Sequence, residues 1–276
     1  MIPCCNRPGW LRVCLEHISR ANGFLDYAYF FSIDRGKTVN DDVIEWFRTN
    51  FPVEVRVARR PSHQFRGNVF NFMNAFQDAY DFTMEGHYIH VIEDDIFIAP
   101  DYFDFHEKAW RVGPKAFFVS ACRNQNFQNQ LPAGDERHVY FHKSYQSLGV
   151  SFPRKSLSWI IPHCTPDYWK YPESLFEYLN AQFPGSPIPA IHAEQAGLIH
   201  RIILAHNFSG IYPIVPRAYH AGFVGSNRGG AKHPSEYSAR EIREMDGDRM
   251  NREAGRRKDI TPCEMVFRQV DELELI

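Results

Sequence analysis

The segment His87-Tyr88-Ile89-His90-Val91-Ile92-Glu93-Asp94-Asp95-Ile96-Phe97-Ile98 decides the fold. Its apolar residues predict a buried β-strand, and three consecutive acidic residues follow that strand. Adjacent carboxylates repel one another and lose hydration on burial, so the triplet requires either a cation or a solvated turn. A divalent metal ion is the simpler explanation, and the alternative is an exposed acidic turn.

Strands and helices alternate over residues 1–122. The spacing of apolar residues predicts strands at 1–5, 27–33, 52–58 and 116–122, a further strand leading into the acids, and helices at 8–21, 41–50, 68–80 and 101–111. This alternation indicates an α/β fold with a mostly parallel sheet covered by helices. Ligands of such sheets bind beyond the carboxyl ends of the strands. The loops expected there are polar: Asn6-Arg7, Asp34-Arg35, 59–66 and Glu93 to Asp95.

The composition is that of a globular protein. The chain has 276 residues, 44% of them hydrophobic, and a net charge of −2, which argues against a surface that coats nucleic acid. Its six cysteines are scattered without metal-type spacing, so free thiols are expected. We find no signal-peptide pattern and no apolar run of about 18 residues that would span a membrane, so a cytoplasmic location is predicted.

The acidic triplet has a specific chemical interpretation. Mg²⁺ and Mn²⁺ prefer oxygen ligands and keep positions open for phosphate oxygens, so one or two protein carboxylates are enough. In an extended segment, Glu93 and Asp95 would face one side and Asp94 the other. We therefore expect Asp95 to coordinate the metal, while Glu93 and Asp94 bind ribose hydroxyls or fix the turn.

Three motifs together resemble those of the GT-A glycosyltransferases. They are Ile2-Pro3-Cys4-Cys5-Asn6-Arg7-Pro8 before a helix, Asp34 after the second strand, and the acidic triplet after the fourth. The triplet is closest to the form in inverting N-acetylglucosaminyltransferases, and the resemblance covers about residues 1–225. It implies a GT-A (Rossmann-like) fold, a nucleotide-sugar donor such as a UDP-sugar, and Mn²⁺ or Mg²⁺ as cofactor. The first strand is shorter than is usual in that family.

The resemblance also implies roles for individual residues in the first half. Pro3, Asn6 and Arg7 would line the base pocket, and Asp34 would hydrogen-bond the base. Asp95 would bind the metal. The alternative for Asp34 is an ordinary turn aspartate in Asp-Arg-Gly.

The second half offers a general base and further contacts with the diphosphate. In inverting members a carboxylate near a helix start deprotonates the acceptor, which implies Glu194 as the catalytic base; the alternative is a helix cap. Residues 216–225 are similar to the closing segment of such enzymes, where His220 would be a second metal ligand or, alternatively, an ordinary surface or core histidine. The residues expected to contact the diphosphate are Arg66 with Asn68, Arg217, Arg228 and Lys232. Arg66 and Asn68 could instead only begin a helix.

The predicted function is metal-dependent transfer of a sugar from a nucleotide diphosphate to an acceptor hydroxyl, with inversion. Residues 1–122 would bind the nucleotide, 123–225 the acceptor, and 226–276 would form a charged C-terminal lid. Two alternatives stay open: a nucleotidyltransferase, although Gly9 alone makes no phosphate loop, and a non-catalytic nucleotide-sugar-binding module. The acceptor is a soluble glycan, a protein, a small molecule or a modified DNA base, the last because residues 228–258 hold nine basic residues against six acids.

Overall fold

The first 61 residues alternate strands and helices as their apolar spacing predicts. In the computed structural model, which describes residues 1–61, 67–122, 137–165, 172–185, 195–221, 234–246 and 272–276, this part contains β1 (Ile2–Cys4), α1 (Pro8–Ile18), β2 (Tyr29–Ile33), α2 (Asp41–Asn50) and β3 (Val55–Arg59). The three strands form a parallel sheet in the order β1-β2-β3. Cys4, Ile33 and Arg59 lie in one row, so the loops that follow the three strands leave from the same edge.

Backbone hydrogen bonds of Met1 join this sheet to the strand of the acidic segment, β4 (Tyr88–Val91). The Met1 nitrogen donates to the His90 carbonyl at 2.7 Å, and the Ile92 N–H donates to the Met1 carbonyl at 3.1 Å. This is the pattern of a parallel pair, in which one residue bonds to two residues of its neighbour. Met1 thus lies opposite Val91, the last residue of β4, and the acidic residues that follow β4 are level with the end of β1.

The second sheet is mixed, which corrects the prediction of a mostly parallel sheet. The remaining strands are β5 (Ile96–Ile98), β6 (Phe118–Ser120), β7 (His138–His142), β8 (Val150–Pro153), β9 (Gly210–Pro213), β10 (Ala218–His220) and β11 (Glu274–Leu275). The six-stranded order is β11-β7-β9-β6-β8-β4, and β8 runs antiparallel to both of its neighbours. Parallel neighbours need crossover helices, and the regular helix–strand alternation that supplies them ends after Cys122.

Helices cover the strands on two sides, which confirms the α/β class. The other helices are α3 (Gly67–Phe82), α4 (Tyr102–Val112), α5 (Arg154–Ile160), α6 (Pro172–Gln182), α7 (Gln195–Ala205) and α8 (239–246). One apolar core contains residues of α1, α2 and α4, and another contains residues of α3, α5 and α7. Among the described helices, none has both the length and the apolar character needed to cross a bilayer.

The described part of the predicted lid, residues 234–246, packs on α1. Ile242 has no exposed surface and belongs to the same apolar core as Trp10 of α1. Arg243 donates to both carboxylate oxygens of Glu16, at 2.8 and 2.6 Å. Gly9 lies so close to the backbone of Tyr237 that a Cβ atom would overlap its carbonyl oxygen. This stretch is therefore held against the first helix by direct packing.

We expect Gly9→Ala to loosen residues 234–246, because the added methyl group meets backbone that has no room to shift. Amide hydrogen exchange should accelerate at least about tenfold in 237–246, with about 1–3 kcal/mol of lost stability, as for other overpacked sites. Arg243→Ala is the control, since it removes only a half-exposed ion pair worth less than about 1 kcal/mol. Helix propensity alone predicts that Gly9→Ala stabilises the protein. A gain in stability with unchanged amide hydrogen exchange in 237–246 would contradict this packing.

Candidate functional site

The site begins where β1 and β2 end. The Asn40 side-chain amide donates to the Cys5 carbonyl at 3.0 Å and fixes the loop after β1. Asp34 directly follows β2, is only 5% exposed, and accepts a hydrogen bond from the Cys5 thiol at 3.7 Å. Arg35 has a φ of 54°, a left-handed conformation that is uncommon outside glycine. The chain thus turns sharply after β2 and keeps the Asp34 carboxylate beside the β1 loop.

A side chain that the sequence did not single out fixes this edge. Asn71 of α3 is buried, and its amide nitrogen donates to the Ser32 carbonyl at 2.9 Å and to the Cys4 carbonyl at 3.3 Å. The Ser32 hydroxyl donates to the Asn71 side-chain oxygen at 2.7 Å. Asn71 therefore ties the ends of β1 and β2 together. The available signal was a polar residue on the apolar face of α3, next to Phe72.

The three acids lie in the tight turn between β4 and β5, and the prediction that Asp94 and Asp95 face opposite sides is wrong. Arg7 contacts both: its Nη1 donates to Asp95 Oδ2 at 2.7 Å, its Nε donates to Asp94 Oδ2 at 3.3 Å, and its Nη2 donates to Asp94 Oδ1. Alternation of sides holds for extended chain, whereas this segment turns. The guanidinium fork therefore bridges the two carboxylates.

The two-stranded ribbon of β5 and β10 brings a histidine to the same turn. His220 pairs with Ile96 in the antiparallel register, and its Nε2 lies 3.3 Å from Asp95 Oδ2. The Ala221 N–H also donates to the Asp95 carbonyl at 2.8 Å. The pair that the sequence analysis assigned to a metal, Asp95 and His220, is therefore adjacent although 125 positions separate the two residues in the chain.

Burial and charge act differently on the two aspartates. Burial raises the pKa of Asp94 to about 6; the Arg7 charge opposes this shift and the Asp95 charge adds to it. Burial also disfavours ionisation of Asp95, but the hydrogen bond from His220 and the charge of Arg7 outweigh it and lower its pKa to about 2. The single positive charge of Arg7 thus compensates the Asp95 carboxylate well and leaves the Asp94 carboxylate poorly compensated.

The Cys5 thiol links the Asp34 and Asp94 environments. Burial raises its pKa to about 11, and the negative charges of Asp34 and Asp94 contribute to the same shift. The thiol is therefore protonated at neutral pH and is a poor nucleophile. Both carboxylates act on this one sulfur atom, so Asp34 belongs to the same edge site as the acidic turn. This role of Cys5 was not predicted from the sequence.

Arg217 does not lie at this edge, which corrects its predicted contact with the leaving diphosphate. Its side chain has no exposed surface and its Nε donates to Asp101 Oδ2 at 3.1 Å. It also donates to the Val215 carbonyl and lies over the Phe105 ring. Burying a guanidinium requires a fixed partner of this kind. Arg217 is a core residue that joins the start of β10 to α4.

The remaining predicted residues have different positions. Pro3 is buried within β1, Asn6 is half-buried beside Arg7, and Glu93 is half-buried at the start of the acidic turn. The residues that lie outside the described part, or whose side chains do, are Arg66, Asn68, Glu194, Arg228 and Lys232.

A large cavity lies away from this edge. It has a volume of about 830 Å³ and lies between β2 and β4, lined by Tyr29, Phe30, Tyr88 and His90. These residues belong to the beginning and middle of the two strands, whereas Asp34 and the acids follow their ends. We therefore do not assign this cavity to the candidate site.

The acidic turn offers oxygen ligands of the type that hard divalent cations prefer. In the described ranges, no group of three or more His, Cys, Asp or Glu side chains is placed so that it could hold a metal ion by itself. Mg²⁺ and Mn²⁺ do not need one, because phosphate oxygens and water complete their shells. Two adjacent carboxylates, one of them poorly compensated, together with an imidazole at 3.3 Å, are a suitable partial ligand set.

Comparison with known proteins assigns no family. No protein-family model matches the chain, and no curated protein matches it. The function therefore has to be argued from the arrangement of Arg7, Asp34, Asp94, Asp95 and His220.

Asp94 should make the stability of the metal-free protein depend on pH. Its folded pKa of about 6 exceeds its ordinary value of 3.8, so the folded state binds the proton more tightly than the unfolded chain does. The cost of ionising Asp94 in the folded state therefore destabilises the fold progressively as pH rises from about 4 to about 6. This cost is fully present above that range. Wild type should therefore lose stability relative to Asp94→Asn, by about 1–3 kcal/mol.

The measurement is urea denaturation in a chelating buffer at about pH 4.5 and about pH 7. The side-chain amide introduced by Asp94→Asn can still accept a hydrogen bond from Arg7, so the variant keeps the local contact. Asp42→Asn, at an exposed position in the first turn of α2, is the control and should follow wild type at both pH values. A difference between wild type and Asp94→Asn that does not change with pH would contradict the assignment.

Proposed function

We propose that the protein is a metal-dependent glycosyltransferase that binds a nucleotide diphosphate sugar at this edge. The observation that carries the proposal is the joint placement of Asp34, Asp94, Asp95 and His220 beyond the ends of β1, β2 and β4. Ligands of α/β sheets bind at this position. Asp34 would bind the nucleobase, and Asp95 with His220 would bind the metal that holds the diphosphate. Arg7 contacts Asp94 and Asp95. These residues together match the parts of one nucleotide-sugar donor.

Asp95 and His220 would hold Mn²⁺ or Mg²⁺, with Asp94 beside them. When bound, the metal supplies positive charge that offsets the charge the diphosphate gains as the sugar leaves. Asp94 needs such charge, because burial and Asp95 hold its pKa well above the ordinary range even with Arg7 in contact. The acidic turn thereby favours a complex that brings positive charge into the site.

Asp34 would accept a hydrogen bond from a ring N–H of the base, as a uracil-type base provides. Its carboxylate is held in place by the sharp turn at Arg35 and by the Cys5 thiol. Positioning by rigid neighbours favours one orientation of a flat ring. This supports a donor whose nucleobase carries a ring N–H, such as a UDP-sugar.

Glu194 remains the proposed base, and it directly precedes α7 in the sequence. It would remove the proton from the acceptor hydroxyl, which attacks the anomeric carbon opposite the diphosphate and inverts the configuration. Of the nine basic residues in 228–258, two lie in the described part, and both form surface ion pairs: Arg240 with Glu244 and Arg243 with Glu16. A glycan or another hydroxyl compound is the proposed acceptor.

The test is a thermal-shift panel of UDP-, GDP- and dTDP-sugars with and without Mn²⁺. A donor present at about 100 times its Kd should stabilise the folded protein by about 2.7 kcal/mol, and only together with the metal. Asp95→Asn should weaken donor binding at least tenfold, because it removes a charged metal ligand. Asp42→Asn keeps the same chemical change at an exposed position and should bind as wild type does.

Product analysis separates the alternatives. A glycosyltransferase should hydrolyse the donor slowly in Mn²⁺ and release a nucleoside diphosphate. A nucleotidyltransferase would release pyrophosphate from a nucleoside triphosphate, and a binding module would bind the donor without turnover. If Asp95→Asn binds and hydrolyses the donor as wild type does, the proposed function is wrong.

A further inference from the structure

Arg7 and a divalent cation cannot use Asp95 in the same way at the same time. Arg7 Nη1 lies 2.7 Å from Asp95 Oδ2, and His220 Nε2 lies 3.3 Å from the same oxygen. A metal would have to approach a carboxylate oxygen of Asp95 to about 2.0–2.2 Å and would place two positive charges beside the guanidinium. An ion that binds Asp95 Oδ2, the oxygen that Arg7 and His220 contact, therefore requires Arg7 to withdraw from the pair.

The backbone at Arg7 is fixed, and only its side chain is able to respond. The Arg7 carbonyl accepts the first hydrogen bond of α1, from the Leu11 N–H at 3.0 Å, and Pro8 follows it as the first helical residue. The Arg7 side chain keeps 23% of its surface exposed, whereas those of Asp94 and Asp95 keep 2% and 8%. The guanidinium thus has a route toward solvent at the edge where a donor would enter.

We propose that Arg7 is an exchangeable cation, which holds Asp94 and Asp95 together in the free protein and moves to the donor diphosphate when the divalent ion binds. The inference rests on the proposed function and assigns to Arg7 the phosphate, where the sequence analysis had placed it near the base. A guanidinium fork suits phosphate oxygens as well as carboxylates, so Arg7 exchanges one pair of acceptors for another. In each state the guanidinium has anionic oxygens as its partners.

The exchange couples the two ligands. The ion alone has to displace Arg7 without giving it a new partner, so it should bind weakly to the free protein. A nucleoside diphosphate supplies that partner, so each ligand should strengthen binding of the other by the same factor. If Arg7 stayed in contact with Asp94 and Asp95 in both states, it would not contribute to this coupling between the two ligands.

The experiment measures Mn²⁺ affinity by isothermal titration, with and without UDP, and UDP affinity in Mn²⁺. Arg7→Gln should bind Mn²⁺ at least tenfold more tightly than wild type when UDP is absent, and UDP at least tenfold more weakly when Mn²⁺ is present. Arg7→Lys, which keeps the charge but not the fork, should lie between these values. Arg12→Gln, one turn further along α1 and paired with Glu16, is the matched control and should change neither affinity.

The opposite signs of the two effects distinguish exchange from simple loss of folding, which would weaken both affinities. If Arg7→Gln does not fold, the same comparison is made with Arg7→Lys. Arg7 variants that leave UDP affinity unchanged would overturn the inference while the proposed function stands, provided that Asp95→Asn still loses Mn²⁺ and UDP. Wild type that binds neither Mn²⁺ nor UDP would overturn both.

Discussion

The contact of Arg7 with Asp94 and Asp95 is the interaction on which the arrangement of this edge depends. Two adjacent carboxylates with 2% and 8% of their side-chain surface exposed would repel one another without a counter-charge. Arg7 supplies that charge from the start of α1, and His220 supplies a second contact from β10. These side-chain contacts link α1, the acidic turn and β10 at one edge.

Strand alignment makes this contact geometrically available. Parallel pairing puts the ends of β1 and β2 in one row, and the backbone bonds of Met1 bring the acidic turn after β4 level with that row. The antiparallel β5–β10 ribbon then folds the chain back so that His220 reaches Asp95. Parallel pairing therefore places the loops after the strands at one edge, and antiparallel pairing brings the distant segment with His220 to the same edge.

The first half of the fold was predictable because its apolar periodicity is strong. The predicted helix at 41–50 coincides with α2, and α1, α3 and α4 differ from their predicted ranges only near the ends. The mixed second sheet was not predictable, because strand direction depends on pairing partners that lie far apart in sequence. The proximity of Asp34 to the acidic turn was predictable, because the loops that follow the carboxyl ends of parallel strands lie at one edge of the sheet. The role of Asn71 in joining β1 to β2 was not predictable in this way.

The sequence by itself determined the α/β class, the buried strand with its acidic turn, and the polar residues that follow the strands. These features depend on local periodicity and on charge, which a linear pattern records. Only the tertiary structure decided that Asp94 and Asp95 face the same guanidinium, that His220 reaches Asp95, and that Arg217 pairs with Asp101 in the core. These contacts join residues that are remote in the chain, and the direction of each side chain is set by the turn or strand that carries it.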